Sequence, residues 1–452
     1  IVVDPSHGGL DIELGQTVPL RARVELLGPG EAQSEIVVEG TPLAAHIECD
    51  APGWRHQLWY DRRLMHGGTR LDLDHIRPTT LRPFGIVWRG PTTAGQTVEV
   101  RLGFSLRGLR QAEAHLRADC GPHRESFGHR QARTERSWSE HLGAVRFEAA
   151  DPDHETVMAT ALYHSMIKPC FAPGESPFWP ADGPFVFDIC TMWDIYRTQL
   201  PLITALFPDR AVELANALLT ICEEEGNIPI GYRMARGADR FARQGSALAH
   251  PFLGDLCRLG LGGIDWEWAL PQMHFDLRRG HGEEYLERGI SHPIAHMLDL
   301  TAAYHSTAVV ARCVGDLQLA EQFEELAEGW TVAFDSSNGR LVDSAYYEGG
   351  RWNYSFRLLH DMAARIAFAG GDEAFVGLLD RFFGYGAEPV EQLGERPTRS
   401  ELAAGQALDR FEGLNNEPDM DAPWAYHYAG RPDRTAEVVH AVVTTQFGTG
   451  RG

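Results

Sequence analysis

Lysine is almost missing from this chain: among 41 basic residues only Lys168 is one, an imbalance of the kind that codon composition produces and that carries no mechanistic information. Basic charge as a whole is also scarce. Acidic residues outnumber basic ones 63 to 41, for a formal net charge of −22. Such a surface repels phosphate backbones and anionic lipid, which excludes nucleic acid and membrane surfaces as main partners and favours small neutral ligands or cations. Seven cysteines are spread along the chain without a C-x-x-C spacing, mostly inside apolar runs. They read as buried thiols, neither a zinc site nor a disulfide framework. No apolar run reaches the roughly 18 residues that span a bilayer, so membrane insertion is not expected, and no signal peptide is visible. The sequence starts at Ile1 without Met and stops at Gly452, and both ends are expected to be cut from a longer chain. A G-x-S-x-G elbow, a P-loop and a dinucleotide fingerprint are all missing, as are low-complexity tracts and internal repeats.

What the chain does have is 43% hydrophobic residues and 10% aromatics over 452 positions, enough for two or three domains with full cores. Residues 1–110 hold short β-branched or alternating stretches at 17–27, 35–38, 56–60, 79–87 and 97–104, punctuated by Gly and Pro. That pattern predicts an antiparallel β-sandwich. Residues 111–168 then predict a helical linker, with apolar positions at helical spacing over 134–142 and 155–167. In 169–452, amphipathic stretches at 193–207, 211–224, 247–259, 265–278, 290–314, 317–334, 355–369, 373–383 and 434–447 predict helices. Paired helices joined by aromatic, Gly-rich connections point to an α/α barrel whose loops carry the chemistry.

Three constellations stand out. In Tyr-Tyr-Glu-Gly-Gly-Arg-Trp-Asn-Tyr-Ser-Phe, residues 346–356, Glu348 lies among five aromatic residues and beside two glycines. A carboxylate with little hydration keeps its proton to higher pH and becomes a candidate general acid, while glycine lets a substrate approach the backbone. The plain alternative is a solvated acid beside a core cluster. In Phe-Glu-Gly-Leu-Asn-Asn-Glu-Pro-Asp, residues 411–419, amides and carboxylates offer the oxygen donors calcium takes, without EF-hand spacing; a polar turn is the alternative. In Trp-Asp-Ile-Tyr-Arg, Trp193, Asp194 and Arg197 fall within about one helical turn, a flat ring beside polar groups suited to a sugar, or a core Trp with an Asp194–Arg197 ion pair. Asp239 reads as a loop acid. His292 and His296, at i and i+4, lack a third ligand and read as packing groups rather than a zinc pair.

Taken together with residues 161–166 and 424–431, these stretches resemble glycoside hydrolase family 92, calcium-dependent exo-acting α-mannosidases that invert anomeric configuration. The resemblance covers most of the chain and implies an N-terminal β-sandwich, ending near 98–106, followed by an (α/α)6 barrel that is C-terminally incomplete here. It implies that Glu348 is the general acid, and that Asn416 and Glu417 hold Ca2+. It places Trp193, Asp194, Arg197, Trp352 and Asn353 in the sugar pocket. A secreted or periplasmic location is the family's. In an inverting hydrolase the base stands about 6.5–9.5 Å from the acid, leaving room for water. The family's base aspartates would follow Gly452, Asn353 replaces its usual glutamine, and its histidine pair is replaced around Met420 and Asp421. The alternatives are a catalytically inactive carbohydrate-binding homologue and a hydrolase of a related linkage such as a mannosyl phosphodiester.

Overall fold

A computed structural model describes residues 1–4, 20–38, 41–76, 83–121, 125–179, 182–189, 191–232, 245, 247–279, 281–342, 351–385 and 420–446. The chain divides by its contacts into two units. The first includes Ile1–Arg146 and Cys170–Asp188; the second includes Phe147–Pro169, Ile189–Tyr232 and Ala238–Gly452. This grouping differs from the limits at 110 and 168 read from the sequence.

The first unit holds β1 (Val2–Val3), β2 (Leu20–Gly28), β3 (Glu31–Val38), β4 (Thr41–Cys49), β5 (Arg55–Tyr60), β6 (Arg63–Leu64), β7 (Arg70–Ile76), β8 (Phe84–Arg89) and β9 (Val100–Ser105). They form a four-stranded sheet ordered β1-β8-β5-β6 and a five-stranded sheet ordered β7-β2-β3-β4-β9, with every pairing antiparallel. Alternation along β2 decides which face is covered: Ala22 and Val24 point into the core, whereas Arg23 points out and meets Asp72 of β7 at 3.0 Å. Ala22, Val24, Ala32 and Ile47 of one sheet share a core with Leu58, Phe84, Ile86 and Trp88 of the other. The unit is therefore the β-sandwich that the alternating stretches predict.

Helix α1 (Leu109–Cys120) buries Ala112 and Leu116 against β9. Gly103 makes that approach possible, since a Cβ there would stand 2.3 Å from the Ala112 carbonyl oxygen. A hairpin of β10 (Cys170–Phe171) and β11 (Val186–Phe187) belongs to the same unit. Between its strands, the buried Glu175 accepts hydrogen bonds from the Ser105 hydroxyl at 2.8 Å and the Leu106 amide at 2.7 Å.

The second unit is helical. Helix Ile294–Val314 is buried around most of its circumference, which marks it as an interior element. Helices Ala249–Arg258, Trp266–Asp276 and Leu317–Ala327 pack on it, and Asp265 and Asp316 cap two of them at the N-terminus. The stretch predicted as one helix over 193–207 is two, Met192–Ile195 and Gln199–Leu206. Pro201 explains the break, because it lacks the amide hydrogen and crowds the carbonyl four residues earlier. Thr191 caps the first of these pieces through the Trp193 amide at 3.3 Å. The stretch predicted as a helix over 355–369 becomes helical only at Met362–Phe368, after an Asp361 cap. Among the described residues no helix is long and apolar enough to cross a membrane.

Candidate functional site

The interruption at Tyr196–Thr198 borders a small recess in the helical unit, with about 20 Å³ free among the described residues. Trp193, Asp194, Tyr196, Arg197, Arg357 and Asp421 are among its walls. Two guanidinium groups dominate its polar lining, and each has its own carboxylate. Arg357 Nη1 lies 2.7 Å from Asp299 Oδ1, with both side chains almost wholly buried, and its Nη2 donates to the Tyr196 hydroxyl. Arg197 Nε lies 3.1 Å from Asp421 Oδ2, and its Nη2 donates to the Leu358 carbonyl. The Leu358 amide in turn donates to Asp421 Oδ2 at 3.4 Å.

Burial works against charge on both arginines, yet the neighbouring aspartates prevail. Asp299, with Tyr196 and Asp421, holds the Arg357 guanidinium above its usual range; Asp421 does the same for Arg197. Aromatic faces complete the arrangement: the Arg357 guanidinium stands 5.0 Å from the Trp193 ring and 5.7 Å from that of Tyr196. The Trp193 and Tyr354 rings are 5.8 Å apart. Three segments distant in sequence thus converge, ending or beginning at Trp193–Arg197, Tyr354–Leu358 and Met420–Asp421.

Of the residues predicted from sequence, Trp193, Asp194 and Arg197 line the recess together. The ion pair considered between Asp194 and Arg197 is not the one formed; Arg197 reaches Asp421, more than two hundred residues later. Trp352 does not line the recess. It stacks on Phe356 and Phe382, with Arg340 over its ring at 4.6 Å, while its neighbour Asn353 is buried. Glu348, Asn416, Glu417 and Asp239 lie outside the described residues. Sequence reasoning missed Arg357, Asp299 and Tyr196 as site residues, and met Asp421 only as a departure from the family's histidine pair. Asp299 carried the clearest signal, a carboxylate between Leu298 and Leu300 and the one acidic residue of its largely buried helix, where a buried charge demands a partner.

Among the described residues, one set of side chains brings three metal-type donors together, Glu31, His46 and Glu113 in the sandwich unit. Its members are already engaged: His46 Nε2 lies 3.2 Å from Glu31, and Glu113 pairs with Arg117. Side-chain pairing on β3, β4 and α1 accounts for them.

The pattern of the glycosyl hydrolase family 92 catalytic domain matches residues 111–452, and the chain belongs to that family. An uncharacterized secreted glycosidase of Arthroderma benhamiae is 21% identical over 436 residues, covering 84% of this chain and 50% of its own length. An inverting mannosidase of the family from Bacteroides thetaiotaomicron superposes with a TM-score of 0.81 at 17% identity, covering 95% of this chain and 63% of its own. A second α-mannosidase from that bacterium, solved with mannoimidazole, gives a TM-score of 0.79 at 17% identity, with 96% and 61% covered. These similarities establish the fold, and the chain spans about half to two thirds of each relative's length.

Proposed function

We propose that the chain is the sandwich and helical portion of an exo-acting glycoside hydrolase that removes terminal α-mannose with inversion. In this reading the helices belong to an (α/α)6 barrel and the recess marks the floor on which the sugar ring rests. Trp193 supplies its apolar wall, Asp194 and Arg197 its hydrogen-bonding groups, and Glu348 protonates the departing oxygen. Asn353 and Trp352 support the pocket from the side of the Glu348 segment. One observation carries the proposal: Asp421, just beyond the Asn-Glu-Pro segment, is bonded to Arg197 of the Trp-Asp-Ile-Tyr-Arg segment. Tyr354, six residues after Glu348, touches Trp193 from the other side. The Trp-Asp-Ile-Tyr-Arg segment thereby meets residues that follow the other two motifs in sequence.

A neutral sugar suits the recess better than a phosphodiester. Both guanidiniums are already matched by carboxylates, Arg197 by Asp421 and Arg357 by Asp299, and Asp194 adds a third acid to the lining. Such a set accepts and donates hydrogen bonds to hydroxyls without offering a net positive charge to a phosphate. For calcium, the chemistry of the donor set is the relevant test: Asn415, Asn416, Glu417 and Asp419 offer oxygen only, which fits a hard cation. When bound, calcium would orient and polarise sugar hydroxyls, with Asn416 and Glu417 as the residues that hold it. A secreted or periplasmic site of action agrees with the secreted glycosidase among the relatives.

The test is leaving-group dependence in the full-length natural protein. Glu348→Gln is expected to slow hydrolysis of unactivated mannosides by about 10²–10⁴-fold, the usual contribution of a general acid, while sparing activated aryl mannosides. An equal loss on both would assign Glu348 a structural role. Binding of mannose by the unaltered protein with no turnover of either substrate would favour the inactive carbohydrate-binding homologue.

A further inference from the structure

Helices Ala249–Arg258 and Ile294–Val314 pack directly on each other. Gly254 lets them come unusually close: a Cβ there would stand 2.8 Å from the Ser306 Cβ and 2.9 Å from the Ser306 carbonyl oxygen, so the two backbones nearly touch. Helical periodicity then decides what else meets across the seam. Cys257 follows Gly254 by three residues and Cys313 follows Ser306 by seven, so each lies on the facing stripe of its helix, in the last turn.

The two side chains meet there, the Cys257 thiol being hydrogen-bonded to that of Cys313. Their surroundings differ. Cys257 is buried, whereas Cys313 is exposed, and neither is in a disulfide. Burial, with Cys313 beside it, pushes the Cys257 thiol up to about 12, so it keeps its proton and is a poor nucleophile toward anything arriving from solvent. A solvent-facing thiol backed by a sheltered one is the arrangement in which the first meets an oxidant and the second completes the bond.

We propose that Cys257 and Cys313 are an oxidisable pair that closes to a disulfide and fastens the two helices by their C-terminal turns. The co-reactant is another disulfide, small or protein-borne. The Cys313 sulfur, as thiolate, attacks one sulfur of that co-reactant; a mixed disulfide forms, the original S–S bond breaks, and one thiol leaves. Cys257 then gives its proton to water and attacks the Cys313 sulfur, releasing the second thiol. Two cysteine thiols are oxidised and one disulfide is reduced to two thiols, so atoms and electrons balance. The cross-link closes a loop that contains helix Trp266–Asp276 and most of helix Ile294–Val314, and it stabilises by restricting that length of chain when unfolded. This role is separate from the sugar chemistry proposed above.

The experiment treats the reduced full-length natural protein with oxidised glutathione, digests it without reductant and maps the cysteine peptides by mass spectrometry, with thermal melting recorded in parallel. A peptide linking Cys257 to Cys313 is expected, together with a rise in melting temperature of about 4–10 °C that added reductant reverses. Cys257→Ser should stop at a glutathione adduct on Cys313, Cys313→Ser should leave Cys257 free, and neither variant should show the rise. A stable glutathione adduct on Cys313 of the unaltered protein, or no modification of either residue, would overturn the proposal. So would a link that leaves the melting temperature unchanged or lowers it, because such a bond does not fasten the helices as they are packed.

Discussion

Asp299 and Arg357 illustrate how little a single residue can be understood apart from its partner. Both are buried, and the pair persists because Tyr196 and the Trp193 ring take up the remaining faces of the guanidinium. Asp299→Asn keeps the shape and removes the charge, leaving Arg357 uncompensated, and is expected to cost about 3–5 kcal/mol in urea denaturation, the usual result of breaking a buried pair from one side. His360 behaves in the opposite sense. Its ring nitrogens are buried without partners among the described residues, its ring stacks on His305 at 4.7 Å, and burial together with His305 pushes its pKa down from 6.5 to about 4. Between those values the unfolded chain binds more protons than the native one, so stability falls as pH drops from about 6.5 to about 4. His250 is depressed to about 4 as well, so His360→Leu should reduce that dependence in denaturation midpoints measured across the window; an unchanged slope would show that this imidazole does not contribute. At this scale the sequence was partly legible. Trp193, Asp194 and Arg197 could be grouped by helical spacing, but Asp421 could not be matched to Arg197, because nothing local encodes a contact across so many residues.

Elements were easier to read than their limits. The helices over 211–224, 247–259, 265–278 and 373–383 are found within a few residues as Pro208–Glu225, Ala249–Arg258, Trp266–Asp276 and Asp372–Phe383, since their apolar spacing is dictated by one buried face. Strand β4 went unnoticed: Pro42, Ala44 and Ala45 have little strand preference, and its place between β3 and β9 comes from the sheet and not from its own residues. The late start of helix Met362–Phe368 has a similar origin. Residues 357 and 358 are held by Asp299, Arg197 and Asp421, and those bonds outweigh a helical pattern that the side chains alone would support. The packing of α1 on β9 offers a test at this level. A Cβ on Gly103 would meet the Ala112 carbonyl at 2.3 Å and the Leu116 Cβ at 2.6 Å, both on the helix backbone or its root. Gly103→Ala is therefore expected to cost about 1–3 kcal/mol in thermal or chemical denaturation, the range for overpacking a tight contact.

Across the whole molecule, composition argued against polyanionic partners and the family resemblance supplied the candidate site, while the resemblance also named residues whose positions fall outside those described. The role given to calcium belongs to this scale, because it concerns activity of the complete protein. Treatment with a chelator is expected to abolish mannoside hydrolysis, and added calcium to restore it; turnover that ignores the chelator would remove the ion from the mechanism. The hairpin Cys170–Asp188 has a different bearing. Because it is grouped with Ile1–Arg146, neither unit is one uninterrupted length of polypeptide. A clone beginning at residue 147 would inherit two strands and the Glu175 carboxylate without Ser105 and Leu106 to receive them, so no single cut in the gene yields either half whole. Inheritance and laboratory dissection alike must handle the two as one piece.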